Sequence, residues 1–254
     1  MQGKETAKVL LNSSVTQYFG EQVYMDVWER LWIPHGRQLA CMDLSADVLD
    51  MQFVDLDVAA NINDICWLNN GDMIIALDST LILLDDDGYS EITKLPYPNI
   101  NIVAAGDSLL YVFGKSATRN KYDVALVDLF GNIQRLFSTN EKITDVAGNG
   151  YVTVLVLNKE LVLFSPKVEP TVFFTAENKI NTIAITDSGG FFVATSDGIY
   201  YFENLDNYYM LSKIGAKKLW LRNQKLYILF ENGNLSVMPI NTEFSVNLKK
   251  QNTK

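Results

Sequence analysis

Three aspartates, a threonine and a lysine recur at one register of this chain. Asp26, Asp64, Ile102, Asp145, Thr182 and Lys218 lie 38, 38, 43, 37 and 36 residues apart, and each is the third residue of a short apolar run. Carboxylates, a hydroxyl and an ammonium gathered at one place could hold a cation, an ammonium group or a cluster of sugar hydroxyls. The same side chains could instead cap the turn that admits each one's own strand, as polar residues at strand entries commonly do. Both readings stay open on the sequence.

Other residues with chemical potential sit in turn-like stretches. "LDDDGYSE" carries Asp85, Asp86 and Asp87, but the alternating oxygen ligands and closing glutamate of a helix–loop–helix calcium site are missing, so it reads as a solvated hairpin. "GKSATRNK" carries Lys115, Arg119 and Lys121 on the longest hairpin insertion, a place where a partner could be met; its spacing is not that of a phosphate loop. Tyr208 and Tyr209 are candidates for an aromatic contact surface. Trp28, Trp32, Trp67 and Trp220 fall in inner strands and read as packing between repeated units.

Enzymatic signatures are scarce. The chain has no G-x-S-x-G elbow, no H-E-x-x-H and a single histidine, His35, in the turn-like "WIPHGRQ". Cys41 and Cys66 lie within apolar runs and read as small buried hydrophobes rather than a disulfide or metal pair. No cofactor and no metal is expected.

The elements that must position these residues follow from composition and repetition. With 254 residues, 48% of them hydrophobic and 20% charged, the chain has the makeup of a folded protein. Its formal net charge of -9 argues against nucleic acid and anionic membranes as partners. No apolar run reaches the roughly 20 residues of a membrane span. The segment "MQGKETAKVLLNSSV" has too short an apolar run for an export signal. The expected location is therefore cytoplasmic, or extracytoplasmic if a signal has already been removed.

Six units of four strands follow one another. First strands begin at Tyr24, Ile62, Ile100, Ile143, Ile180 and Ala216. Second strands such as "MIIAL", "VTVLVL" and "FFVAT" are apolar throughout, third strands such as "TLILL" and "LVLF" follow, and fourth strands such as "SEITKL" mix in polar residues. A run apolar at every position is covered on both faces, and a mixed one lies at an edge. Between them stand turn formers such as "NNGD", "DSGG" and "ENGN". Four strands every ~40 residues is the period of a propeller blade. The expectation is one all-β domain over residues 1–254, a six-bladed β-propeller of four-stranded antiparallel blades. Ring closure is expected from residues 1–22, where "KVLL" (8–11) and "VTQYF" (15–19) resemble the third and fourth strands of a unit and one of them is expected to join the last blade, while "FSVNL" (244–248) is that blade's own candidate fourth strand.

The fifth unit, "INTIAITDSGGFFVATSDGIYYFE", resembles the repeat of two-component-regulator propellers. Ile180 and Ile183, Asp187 to Gly190, Phe192 to Thr195, and Asp197 with Gly198 carry the likeness. The second unit shares part of it. The usual tryptophan of the second strand is replaced here by Phe192. The resemblance implies a bacterial, often extracytoplasmic propeller in sensing or ligand recognition. In a propeller the first strands line the central channel, which would set Asp26, Asp64, Asp145, Thr182 and Lys218 at its mouth.

The expected function is a monomeric, non-catalytic recognition or scaffold module for a protein or glycan partner, using Tyr208, Tyr209, Lys115 and Arg119. The alternative is a ligand sensor or carbohydrate-active enzyme working from the channel mouth, where paired aspartates could serve as acid and base.

Overall fold

Runs of five or six apolar residues flanked by Asn, Asp and Gly turns form strands throughout a computed structural model that describes residues 8–11, 22–35, 37–46, 51–56, 60–85, 88–148, 153–165, 168–186 and 188–240. Among the described residues every regular element is a strand. Six four-stranded antiparallel sheets make a six-bladed β-propeller.

Contacts divide the chain into two units, Phe19–Val146 and a second comprising Met1–Tyr18 with Ala147–Lys254. In the first, blade 1 runs β2 (Tyr24–Met25), β3 (Arg30–His35), β4 (Gln38–Asp43) and β5 (Met51–Asp55). Blade 2 runs β6 (Ile62–Trp67), β7 (Met73–Leu77), β8 (Thr80–Asp85) and β9 (Gly88–Lys94). Blade 3 runs β10 (Asn101–Ala104), β11 (Leu109–Lys115), β12 (Tyr122–Asp128) and β13 (Ile133–Thr139).

Blade 4 consists of β14 (Ile143–Gly148), β15 (Thr153–Leu157), β16 (Glu160–Ser165) and β17 (Val168–Thr175). Blade 5 has β18 (Ile180–Ile185), β19 (Phe191–Thr195), β20 (Ile199–Phe202) and β21 (Tyr208–Ser212). Blade 6 has β22 (Ala216–Arg222), β23 (Lys225–Phe230) and β24 (Leu235–Pro239), completed by β1 (Lys8–Leu11) antiparallel to β24. "KVLL" therefore supplies the fourth strand, with Lys8 opposite Val237 and Leu11 opposite Leu235. The other candidates, 15–19 and 244–248, lie outside the described residues.

The second strands show why five consecutive apolar residues suit a blade. Side chains alternate across a strand, and blades 2 and 5 each pack against a neighbour on both faces. On β7, Met73 and Ile75 join Trp32, Leu39 and Trp67 towards blade 1, while Ile74 and Ala76 join Leu110 and Val112 towards blade 3. On β19, Phe191 and Val193 pack with Val154 and Val156, while Phe192 and Ala194 pack with Leu226 and Ile228. Each such Val, Ile, Leu, Met or Phe side chain is worth about 1.5–3 kcal/mol of transfer free energy. Outer strands behave differently: β5 and most of β9 face solvent.

One turn recurs five times. At 26–30, 68–72, 128–132, 186–190 and 230–234, the first residue pairs with the fifth and the fourth N–H donates back to the first carbonyl. The fourth residue is left-handed each time: Gly71, Gly131, Gly189 and Gly233, but Glu29 with φ 66°. Glycine adopts that conformation without steric cost, whereas a residue with a Cβ does not. Blade 1 thus breaks the rule the other four copies keep.

Candidate functional site

The recurring register is built into the strands in different ways. In blade 1, Asp26 ends the first strand early, so "YMDVW" yields only the two residues of β2. Its fully buried carboxylate takes four hydrogen bonds from its own hairpin. Oδ1 accepts the backbone N–H groups of Trp28 and Arg30 (both 2.9 Å), and Oδ2 accepts Arg30 Nε (2.6 Å) and Trp32 Nε1 (2.8 Å).

Asp64 ties three blades together. Its Oδ1 accepts the Ile65 N–H (3.1 Å) and its Oδ2 the Ile102 N–H of blade 3 (2.7 Å). The Tyr24 hydroxyl of blade 1 is also bonded to it. Burial, followed by the Asp64 charge and that bond, holds the Tyr24 hydroxyl far above the ordinary range of tyrosine. Asp145 is half-buried, and its Oδ1 accepts the Val146 N–H at 3.0 Å.

Asp64, Thr182 and Lys218 each follow a bulge, opposite Ala76, Ala194 and Leu229 respectively. Thr182 is buried and Lys218 half-buried. The bulged residue before Thr182, Asn181, reaches to the next blade, donating to the Ala216 carbonyl (2.9 Å) and to Glu231 Oε1 (3.0 Å). Asp26, Asp64 and Asp145 belong to the Phe19–Val146 unit, Thr182 and Lys218 to the other. Among the described residues no group of three or more His, Cys, Asp or Glu is placed to hold a metal ion.

The candidate partner residues are partly engaged as well. Arg119 pairs with the buried Asp123, which also accepts the Ser138 hydroxyl. Burial and then the Asp123 charge push the Tyr97 hydroxyl up. Lys115 lies 6.0 Å over the Tyr122 ring. Tyr208 is 50% exposed and stacks on Phe202 at 5.0 Å, with Phe174 edge-on at 5.3 Å. Tyr209 is half-buried against the blade 5–blade 6 core. Of the aspartates at 85–87, Asp85 is exposed and the other two lie outside the described residues.

Trp28 corrects the sequence reading. Trp32, Trp67 and Trp220 are buried, with Trp32 and Trp67 meeting between blades 1 and 2 at 5.6 Å. Trp28 instead occupies the third position of the 26–30 turn and is 55% exposed. The physical reason is Asp26, whose clasp starts the reversal before the strand can reach Trp28. The Arg30 guanidinium lies 4.8 Å from the Trp28 ring and 5.3 Å from the Trp32 ring, between the two indoles. The tip of Trp28 rests on Gly71 of blade 2, where an added Cβ would come within 2.5 Å of it.

Blade 3 repeats the device between β12 and β13. Asp128 Oδ1 accepts the N–H groups of Phe130 (3.0 Å) and Asn132 (2.8 Å), and Oδ2 accepts Asn132 Nδ2 (2.8 Å). Phe130, at the same third position, is 91% exposed. Sequence reasoning took Trp28 for packing and passed over Phe130. Their shared signal is spacing: an aspartate, an aromatic two residues on, and a side-chain donor two further, in "DVWER" and "DLFGN".

No protein-family model and no curated protein matches the chain. Solved structures do, at identities that speak for the fold alone. The extracellular domain of a putative one-component system from B. thetaiotaomicron aligns with a TM-score of 0.62 at 12% identity, over 87% of this chain and 33% of that one. Regucalcin, a calcium-binding protein from Agrobacterium tumefaciens, aligns with a TM-score of 0.60 at 13% identity, over 93% and 92%. Ycf48 bound to D1 peptide aligns with a TM-score of 0.58 at 16% identity, over 98% and 84%.

Proposed function

We propose that this propeller is a recognition or scaffold module whose partner is a protein. The observation that carries the reading is the contrast between Asp26 and Trp28. The carboxylate is buried and spends its oxygens inside its own hairpin, while the large apolar ring two residues on is held out to solvent. An exposed, immobilised aromatic costs solvation and offers contact area with little entropy left to lose, as interface anchors do. Phe130 is likewise exposed two residues after Asp128, whose half-buried carboxylate also bonds within its own hairpin. The fold is compatible with the role, since Ycf48, a structure of similar fold, is described with a bound peptide. No helix among the described residues is long and apolar enough to cross a membrane.

The test is crosslinking of the full chain in its native cells, followed by mass spectrometry. A reproducible protein partner crosslinked near Trp28, Phe130, Lys115 or Tyr208 is the expected result. The rival reading is a small-molecule site at the recurring register. A glycan and metal screen giving a thermal shift that Asp64→Ala with Asp145→Ala abolishes, while the fold stays intact, would replace the proposal.

A further inference from the structure

Among the described residues of the Phe19–Val146 unit, the two ends of the blades differ in charge. Because strands alternate in direction, the first–second and third–fourth hairpins of one blade lie at the same end. Neighbouring blades meet there: Trp28 rests on Gly71, and Asn69 Nδ2 donates to Asp107 Oδ1 (2.9 Å). The turns and strand ends on this side hold Glu29, Asp43, Asp72, Asp85, Asp107 and Asp128, while Arg30 is already paired with Asp26. At the other end, among the described residues, Arg37, Lys94, Lys115, Lys121 and Lys142 outnumber Asp55, Asp78 and Glu141. Trp28 and Phe130 both stand on the acidic side, with the exposed Tyr89 at the start of β9.

We propose that this acidic, aromatic end of the blade 1–3 unit docks a lysine- or arginine-rich, partly apolar segment of the protein partner. The inference rests on the recognition reading above and specifies its surface. Trp28 already meets a guanidinium, with Arg30 at 4.8 Å, and its exposed ring surface attracts a second cation in the same way. Phe130 supplies the apolar contact. The amides nearby are spent internally, Asn69 on Asp107, Asn70 on Asp72 and Asn132 on Asp128. They are therefore poor hydrogen-bonding partners for a sugar, yet those bonds leave the negative charge uncancelled. Complementary charge would speed encounter with a basic segment and weaken with salt.

The experiment is a fluorescence-anisotropy titration of the full chain with a fluorescein-labelled Lys/Leu peptide and its Glu/Leu counterpart. The Lys/Leu peptide is expected to bind, the Glu/Leu peptide not, with affinity falling as salt rises. Trp28→Ala should weaken binding roughly tenfold. The double variant Asp72→Asn with Asp107→Asn should weaken it comparably while melting like the parent, which keeps the test decisive if Trp28→Ala does not fold. Tyr208→Ala should leave it unchanged. Unaltered binding in both the folded Trp28→Ala protein and the double variant overturns the inference. So does preference for the Glu/Leu peptide, or loss of binding in Tyr208→Ala alone; in those cases the recognition reading survives on another surface. If neither peptide binds and crosslinking finds no partner, both fall.

Discussion

Removing the carboxylate of Asp64 separates a structural staple from a ligand site. The group accepts the Ile102 N–H at 2.7 Å and the Ile65 N–H at 3.1 Å, and is bonded to the Tyr24 hydroxyl. In Asp64→Ala the Ile102 N–H and the Tyr24 hydroxyl both lose this buried acceptor, at about 1–3 kcal/mol each. Those two losses sum to about 2–6 kcal/mol, and the centre of that range is a melting-point drop of about 8–16 °C for a chain of this size. Asp64→Asn should cost less, because it keeps one acceptor oxygen for one of the backbone N–H groups. Asp107→Ala, which loses only an exposed bond to Asn69, should stay within about 0.5 kcal/mol of the parent. Calorimetry on the four proteins measures this directly. If Asp64→Ala melts with the parent, the carboxylate does not hold blades 1 to 3 together and the staple reading is wrong.

Three further outcomes are expected. Glu29→Gly should raise stability by about 0.5–1 kcal/mol in denaturant titrations, because it relieves a left-handed residue where four sister turns have glycine; a loss of stability would show that the Glu29 side chain contributes more than its backbone costs. Gly215→Ala should destabilise by about 2–3 kcal/mol or more, since its Cβ would fall on the Ser196 carbonyl, a backbone atom that cannot swing away; unchanged melting would refute that close approach. Tyr24 has a folded-state pKa raised above its ordinary value of 10.0, so its contribution is complete below pH 10 and is lost as rising pH ionises the unfolded chain. Tyr24→Phe should therefore flatten the fall in stability above pH 10, and identical slopes for the two proteins would contradict the raised pKa.

Much of the fold was legible because a blade's demands are periodic. A second strand covered on both faces must be apolar at every position, so "MIIAL" and "FFVAT" declare themselves without reference to anything distant. The site was less legible. Asp26 and Asp64 look alike in sequence, each third in an apolar run, yet one clasps its own hairpin and the other bonds to blades on either side. Trp28 looks like one more inner-strand aromatic. Its exposure depends on where the Asp26 carboxylate finds donors, and two of those donors, Arg30 Nε and Trp32 Nε1, lie on the following strand.

The sequence by itself determined the number of blades, the strand order within each and the places of the turns, because alternation, apolar runs and Gly or Asn turns are local properties repeated six times. Only the tertiary structure decided that "KVLL" is the outer strand of the last blade, since pairing partners more than two hundred residues apart leave no local trace. It alone decided, too, which carboxylates are consumed as staples and which aromatics are left facing water. Burial and hydrogen bonding belong to the assembled neighbours of a side chain, and those neighbours come from other blades.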